Sequence, residues 1–389
     1  MREVYLDYGA TTPLRPEVVE AMIPYLKEKF GNPLSLHRFG EAPRQAVEKA
    51  REKVAALLGA RSNEVYFTAS GSEANNMAVK GIALMNRKKG EHIVVSAIEH
   101  LSVLNATQTM EKLGFQVTRV PVDKQGLVNP DDVAAALRDD TILVSIMHAS
   151  NEIGTIEPIT EIAKVVKERS KAYFHTDAVA TAGTLPTNVK ELGVDLLSLA
   201  GNLFYGPKGA AALFIKRATR IMPLIDGGIQ EAGRRAGTEN VPAIVGLGVA
   251  AELAMENMEE RRAHLIPLRD RLIERLTKEI DHVYLTGHPT QRLPGHVSVV
   301  VEYIEGEAML LLLNMQGVAA SSGSTCTSRV LKASHVLMAI GVEPGLANGS
   351  LLLTLGSENT MEDVDYFAEV FPPIVDRLRQ MSPLYQETS

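Results

Sequence analysis

The chain has one cysteine, Cys326. That excludes an internal disulfide framework, fits a reducing compartment and draws attention to this single thiol. Positive charge is not in excess: 40 Lys and Arg stand against 47 Asp and Glu, a formal net charge of -7. Such a balance argues against a dedicated nucleic-acid binder and leaves no polybasic surface for anionic lipid. No apolar run approaches the ~20 residues that a bilayer-spanning helix needs. The opening Met1-Arg2-Glu3-Val4-Tyr5-Leu6-Asp7 carries no apolar signal region, and there are no repeats or low-complexity tracts. These absences predict a cytoplasmic protein that works on small molecules or other proteins, with neither nucleic acid nor membrane as partner.

What is present is enough to bury a large core: 389 residues, 45% of them hydrophobic. Val- and Ile-rich runs at Glu64 to Thr68, His92 to Ser96, Gln116 to Val122, Ile142 to His148, Tyr173 to Asp177, Leu196 to Leu199 and Ala210 to Ile215 alternate with helical patterns. This predicts an α/β fold with a mostly parallel sheet covered by helices on both faces. One helix is expected to end near Arg262 and another to run from Leu268 to Glu279. From there to the closing helix at Met361 to Met381 the pattern reads as a smaller α+β domain. The expected division is residues 15–260 for the large domain, and 1–14 with 261–389 for the small one.

In parallel sheets, ligands gather beyond the carboxyl ends of the strands. Three polar clusters fall at such ends: Glu99-His100, His148 to Glu152, and His175-Thr176-Asp177. Beside them, Ala69-Ser70-Gly71-Ser72 joins a strand to a helix, where free backbone N–H groups and a helix dipole suit a phosphate. The stretch Asp195 to Gly209 breaks a buried strand at Gly201 and restarts it after Gly206-Pro207. A cofactor loop at that point would carry charge, yet Ala200, Gly201, Asn202 and Leu203 carry none. Ile221 to Pro242 forms a Gly- and Arg-rich loop suited to a subunit contact or to a pocket contributed across an interface. Cys326 lies among small hydroxyl residues and glycine, Ser321 to Ser328. That composition predicts an exposed, mobile loop and a nucleophilic or metal-ligating thiolate.

Collinear motifs along nearly the whole chain resemble the NifS/IscS-type cysteine desulfurases. They include Ala10-Thr11-Thr12-Pro13-Leu14, Glu73-Ala74-Asn75-Asn76, Asn151-Glu152-Ile153-Gly154, His175-Thr176-Asp177-Ala178-Val179, Tyr205-Gly206-Pro207-Lys208-Gly209, Arg235-Ala236-Gly237-Thr238-Glu239-Asn240 and Ser322-Gly323-Ser324-Thr325-Cys326-Thr327-Ser328. The resemblance implies the fold of type I pyridoxal-phosphate enzymes, a homodimer, and sulfur mobilisation for iron–sulfur cluster assembly with a scaffold protein as partner. The terminal Ser382-Pro383-Leu384-Tyr385 is similar to the family's tail, near where that scaffold docks. By the same resemblance, Asp177 pairs with the protonated ring nitrogen, His100 stacks on the ring and Asn151 bonds the ring hydroxyl. Gly71, Ser72 and a second subunit's Thr238 hold the phosphate. Cys326 carries sulfur as a persulfide or ligates an iron–sulfur cluster.

The same resemblance exposes departures. Ala200, Gly201, Asn202 and Leu203 occupy the family's Ser-Gly-His-Lys, so the Schiff-base lysine is a leucine. Ala180 replaces a glutamine, Leu352 an arginine that clamps the substrate carboxylate, and Tyr8 an asparagine. Lys208, in a turn the active family also has, is not expected to substitute. The expectation is a desulfurase-like protein with little activity on L-cysteine and with pyridoxal phosphate held noncovalently if at all. Two alternatives are an active desulfurase with noncovalent cofactor, and a protein repurposed or engineered to bind another ligand.

Overall fold

The computed structural model describes residues 2–323, 333–383 and 385; Cys326 and Leu384 lie outside them. Seven strands form the large sheet: β2 (Val65–Thr68), β3 (His92–Ser96), β4 (Gln116–Val120), β5 (Thr141–Ser145), β6 (Tyr173–Asp177), β7 (Leu196–Ala200) and β8 (Ala211–Ile215), with β1 (Val4–Tyr5) elsewhere. Their order is β2-β8-β7-β6-β5-β3-β4. Only β8 runs against its neighbours, pairing antiparallel with both β7 and β2. β3, β5 and β7 are buried at every position, which is why they read as continuous apolar runs rather than alternating ones. One hydrophobic cluster packs the Gly71–Asn86 and Leu101–Lys112 helices onto one face. Another packs the Arg38–Leu57 and Ile159–Arg169 helices onto the other. The carboxyl ends of β2, β3, β5, β6 and β7 therefore share one edge.

A second core gathers around a three-stranded antiparallel sheet, β12-β10-β9 (Ser350–Thr354, His296–Val301, Val283–Leu285), and the Met361–Met381 helix. Two-residue β1 pairs in parallel with β11 (Val318–Ala319). The cores are joined by one helix, Val241–Glu279, where the sequence predicts two. Pro267 sits inside it and withdraws one helical N–H. The helix continues because Leu265, Leu268, Leu272 and Leu276 are buried in the second core just as Val241 to Ala254 are in the first. By length and composition alone this helix could span a bilayer, contrary to the sequence expectation of no such run; half of the qualifying stretch is buried inside the protein. Its apolarity serves close packing: a Cβ on Gly248 would stand 2.6 Å from Ala50 Cα on the Arg38–Leu57 helix.

Candidate functional site

The site starts where β2 ends. Ser70 caps the Gly71–Asn86 helix, its Oγ accepting the Glu73 N–H at 3.1 Å, and the Glu73 carboxylate accepts the Ala69 N–H at 2.9 Å. This reciprocal cap fixes the turn, so Gly71 and Ser72 present the first helical turn to a cavity beyond the sheet edge. Gly71 must be small there, because a Cβ would meet Val179 Cγ2 at 2.6 Å.

Asp177, at the end of β6, is the buried anion of this cavity. Its Oδ1 accepts the Val179 N–H at 2.9 Å and its Oδ2 accepts Asn75 Nδ2 at 2.6 Å. The other Asn75 Nδ2 hydrogen goes to Ser102 Oγ at 2.8 Å, and Ser102 Oγ lies 2.7 Å from His100 Nδ1. Because His100 Nδ1 also accepts the Ser102 backbone N–H at 3.1 Å, the network assigns Nδ1 as acceptor and leaves the ring hydrogen on Nε2. The result is a connected chain of hydrogen bonds, Asn75 donating both to Asp177 and to Ser102, and Ser102 in turn to His100. Burial is the largest influence on the Asp177 carboxyl and raises it, opposed by the nearby His100 ring and by the two donors.

The other polar residues at these strand ends serve the core. His175 is held between Ser145 Oγ at 2.8 Å and Ser198 Oγ at 3.0 Å, and burial pushes its ring down to about 3, so it stays neutral. His148 is bound to Thr181 Oγ1 at 2.9 Å and pushed by burial to about 4. Glu99 Oε1 accepts Ser96 Oγ at 2.7 Å and the Met147 N–H at 2.8 Å, tying β3 to the end of β5. Burial lifts Glu99 to about 8, so it carries a proton at neutral pH. From the three sequence clusters, His100, Asn151 and Asp177 line the cavity, whereas Glu99, His148 and His175 do not.

The opposite wall is apolar or small: Ala180, Ala200 and Leu203. Among the described residues no lysine lines the cavity, and Lys208 is exposed on its turn. Asn202 lies on the same wall, and its backbone carbonyl accepts the Thr12 N–H at 2.9 Å. Tyr8 donates to Glu358 Oε2 at 3.0 Å. Leu352 pairs with Ser298 across β12 and β10. Thr238 is exposed and does not line the cavity of its own chain. Cys326 falls outside the described residues, among which no three His, Cys, Asp or Glu side chains cluster to hold a metal.

These residues fit a pyridoxal-type ring held by noncovalent contacts. The Asp177 carboxylate is buried with two neutral donors and no cation bonded to it, and Asn75 Oδ1 is buried without a partner. A carboxylate in that condition suits a protonated ring nitrogen. A covalent link does not fit, since the cavity offers leucine where an amine is required. Asn75 and Ser102 carry this geometry, and the sequence assigns a role to neither, although Asn75 falls in the Glu73-Ala74-Asn75-Asn76 motif; a further signal is that Asn75 lies four residues after Gly71, on the same helix face.

Residues 4–367 match the aminotransferase class-V family. The chain is 54% identical over 386 residues to the cysteine desulfurase IscS of Dictyoglomus turgidum, covering 99% of this chain and 98% of the relative. It is 56% identical over 383 residues to that of Methanosarcina thermophila, covering 98% and 94%. Among solved structures, a NifS-like protein superposes with a TM-score of 0.91 at 37% identity, covering 97% of this chain and all of the other. A NifS-like protein from Rickettsia africae superposes at 0.87 with 33% identity, covering 96% and 100%. With the fold of type I pyridoxal-phosphate enzymes and these relatives along its whole length, the chain belongs to the class-V aminotransferases, in the NifS/IscS-type cysteine desulfurase family.

Proposed function

We propose that this chain is a sulfur-handling homodimer of the cytoplasm that serves iron–sulfur cluster assembly, with little or no cysteine desulfurase activity of its own. That the relatives are cysteine desulfurases of the IscS type supports the sulfur chemistry. The observation that carries the loss of activity is Leu203 in a cavity that no described lysine lines. General acid–base catalysis contributes roughly 10² to 10⁴ in rate, and a lost charged contact to a buried carboxylate costs on the order of 2 to 5 kcal/mol. The first loss falls at Leu203 and the second at Leu352.

Pyridoxal phosphate, when bound, supplies an electron sink. In this chain Asp177 would keep a proton on its ring nitrogen, His100 and Asn151 would position the ring, and Gly71 and Ser72 would hold the phosphate from one subunit and Thr238 from the other. Phe30, Leu36 and Ile229, exposed at 74%, 97% and 78%, are apolar side chains that a second copy would cover. Cys326 accepts sulfur by exchange: its thiolate attacks the outer sulfur of a donor persulfide, the donor's S–S bond breaks, and the donor leaves as a thiolate with no net oxidation. It then hands that sulfur, or a cluster bound through the same thiolate, to a scaffold protein. Neither nucleic acid nor membrane takes part.

A second reading, an active desulfurase of L-cysteine with noncovalent cofactor, is favoured by the unbroken Asp177–Asn75–Ser102–His100 chain. The near-ultraviolet and visible absorbance of protein mixed with pyridoxal phosphate separates the two. The proposed function expects a band that dialysis removes and borohydride does not fix, with no alanine released from L-cysteine. Alanine at the rate of an ordinary desulfurase, or a band fixed to a lysine, would sink it.

A further inference from the structure

A second cavity adjoins the first, sharing Gly9, Asn151, Ala180 and Leu203 with it. Its volume is about 80 Å³, room for a small molecule, since a single water needs roughly 10 to 15 Å³ on this measure. Leu203, Leu265, Leu293 and Leu355 make its wall predominantly apolar. Two lining residues are ionisable to a cation, Arg261 and His296. Burial pushes His296 down to about 3, and its Nε2 is engaged with the Asn151 carbonyl at 3.0 Å. Among the described residues Arg261 is therefore the one charge on the wall.

That arginine is poorly compensated. It is 8% exposed, one N–H bonds only to the Gly183 carbonyl at 2.8 Å, and its Nε is buried without a partner. Its guanidinium carbon lies 4.9 Å from the centroid of the Tyr205 ring, and Arg15 sits 4.7 Å from the same centroid. The nearby carboxylate, Glu358, pairs with Arg15 at 3.5 Å and accepts the Tyr8 hydroxyl, so it is already shared. A buried cation without an ion-pair partner, on an otherwise apolar wall, is costly unless an anion completes it. The apolar lining excludes a strongly hydrated anion such as phosphate.

The geometry points to a binding site for a small apolar carboxylate, its anionic end at Arg261 and its hydrocarbon part against Leu203, Leu265, Leu293 and Leu355. This site is distinct from the Asp177 cavity and does not depend on pyridoxal phosphate being bound. Leu203 is common to both, so occupancy of one cavity bears on the shape of the other.

The test uses full-length protein freed of cofactor, isovalerate as probe, isovaleramide as its uncharged isostere, and titration calorimetry. Isovalerate should bind, and isovaleramide should bind at least about tenfold more weakly, the value of one charge-assisted hydrogen bond. Arg261→Gln should weaken isovalerate by at least the same factor, and Arg261→Lys should recover part of it. Should Arg261→Gln fail to fold, Thr184→Leu fills the cavity without touching the guanidinium and should weaken both probes. Equal affinity for acid and amide, undiminished binding by either folded variant, or no binding of isovalerate at millimolar concentration would each overturn the proposal.

Discussion

Asn75 Nδ2 donates to Asp177 Oδ2 at 2.6 Å in a buried setting, and the same amide reaches Ser102 and through it His100. This contact holds the carboxylate at the cavity floor while leaving it without a bonded cation. Replacing the carboxylate by a neutral isostere should therefore remove most of the affinity for pyridoxal phosphate. Asp177→Asn should lose about 2 kcal/mol or more of binding free energy, as expected for one buried charge pair. Equilibrium dialysis with the cofactor reads this directly, and unchanged affinity would show that the ring is held some other way or elsewhere.

Leu203 stands at the wall where two cavities meet, half-buried, and faces no packed core. Leu203→Lys should fold normally, since the stem of a lysine covers similar apolar surface and its amine enters a cavity. With pyridoxal phosphate present, the variant should become labelled by borohydride at residue 203, and alanine release from L-cysteine should rise by roughly 10² to 10⁴. Peptide mapping after reduction gives the answer; labelling at Lys208 or none at all would refute the geometry assigned to Leu203.

Much of this was legible in the sequence, and the reasons are specific. The Val- and Ile-rich runs of β3 and β5 are buried on both faces, so their apolar pattern is unbroken. Gly71 and Asp177 were readable because a turn and a strand end announce themselves locally. By contrast, β1 and β11 have two residues each and exist only through a partner more than three hundred positions away. The Asn75–Asp177 bond joins residues 102 apart, so no window reveals it. His148 and His175 look functional in a sequence, but threonine and serine hydroxyls satisfy them in the core. In the sequence Arg261 reads only as a charged residue at a domain boundary, because nothing local shows that its helix runs on through Pro267.

The turn that would hold a phosphate can be tested without cofactor. Gly71→Ala would bring a methyl to 2.6 Å from Val179 Cγ2, an overpacking worth about 1 to 3 kcal/mol. Urea denaturation should show that loss. Gly71→Ala combined with Val179→Ala should regain much of it, because the clash is with that one side chain; no recovery in the double variant would place the strain elsewhere.

Stability should also fall as pH rises from about 6.5 to 8. Burial raises Glu99 and Glu157 to about 8 and Glu152 to about 7, whereas unfolded glutamates titrate near 4.3. The folded chain then holds protons that the unfolded chain has released, so the stability these groups give is complete below the unfolded value and is lost up to the folded one. The buried histidines oppose this only at lower pH. His148 is depressed to about 4, and His175 and His296 to about 3. Their unfolded forms have lost their protons above about 6.5, so the stability the histidines give falls as pH drops below that point and is untouched above it. Between 6.5 and 8 only the carboxyls act, each contributing up to about 1.4 kcal/mol per pH unit. Melting temperature against pH should thus change little just below 6.5, where the three carboxyls and the three histidines offset one another, and fall above it, and Glu99→Gln, which keeps the shape and removes the titration, should make the alkaline decline shallower. A decline of the same steepness in that variant would mean that Glu99 is already ionised in the folded protein.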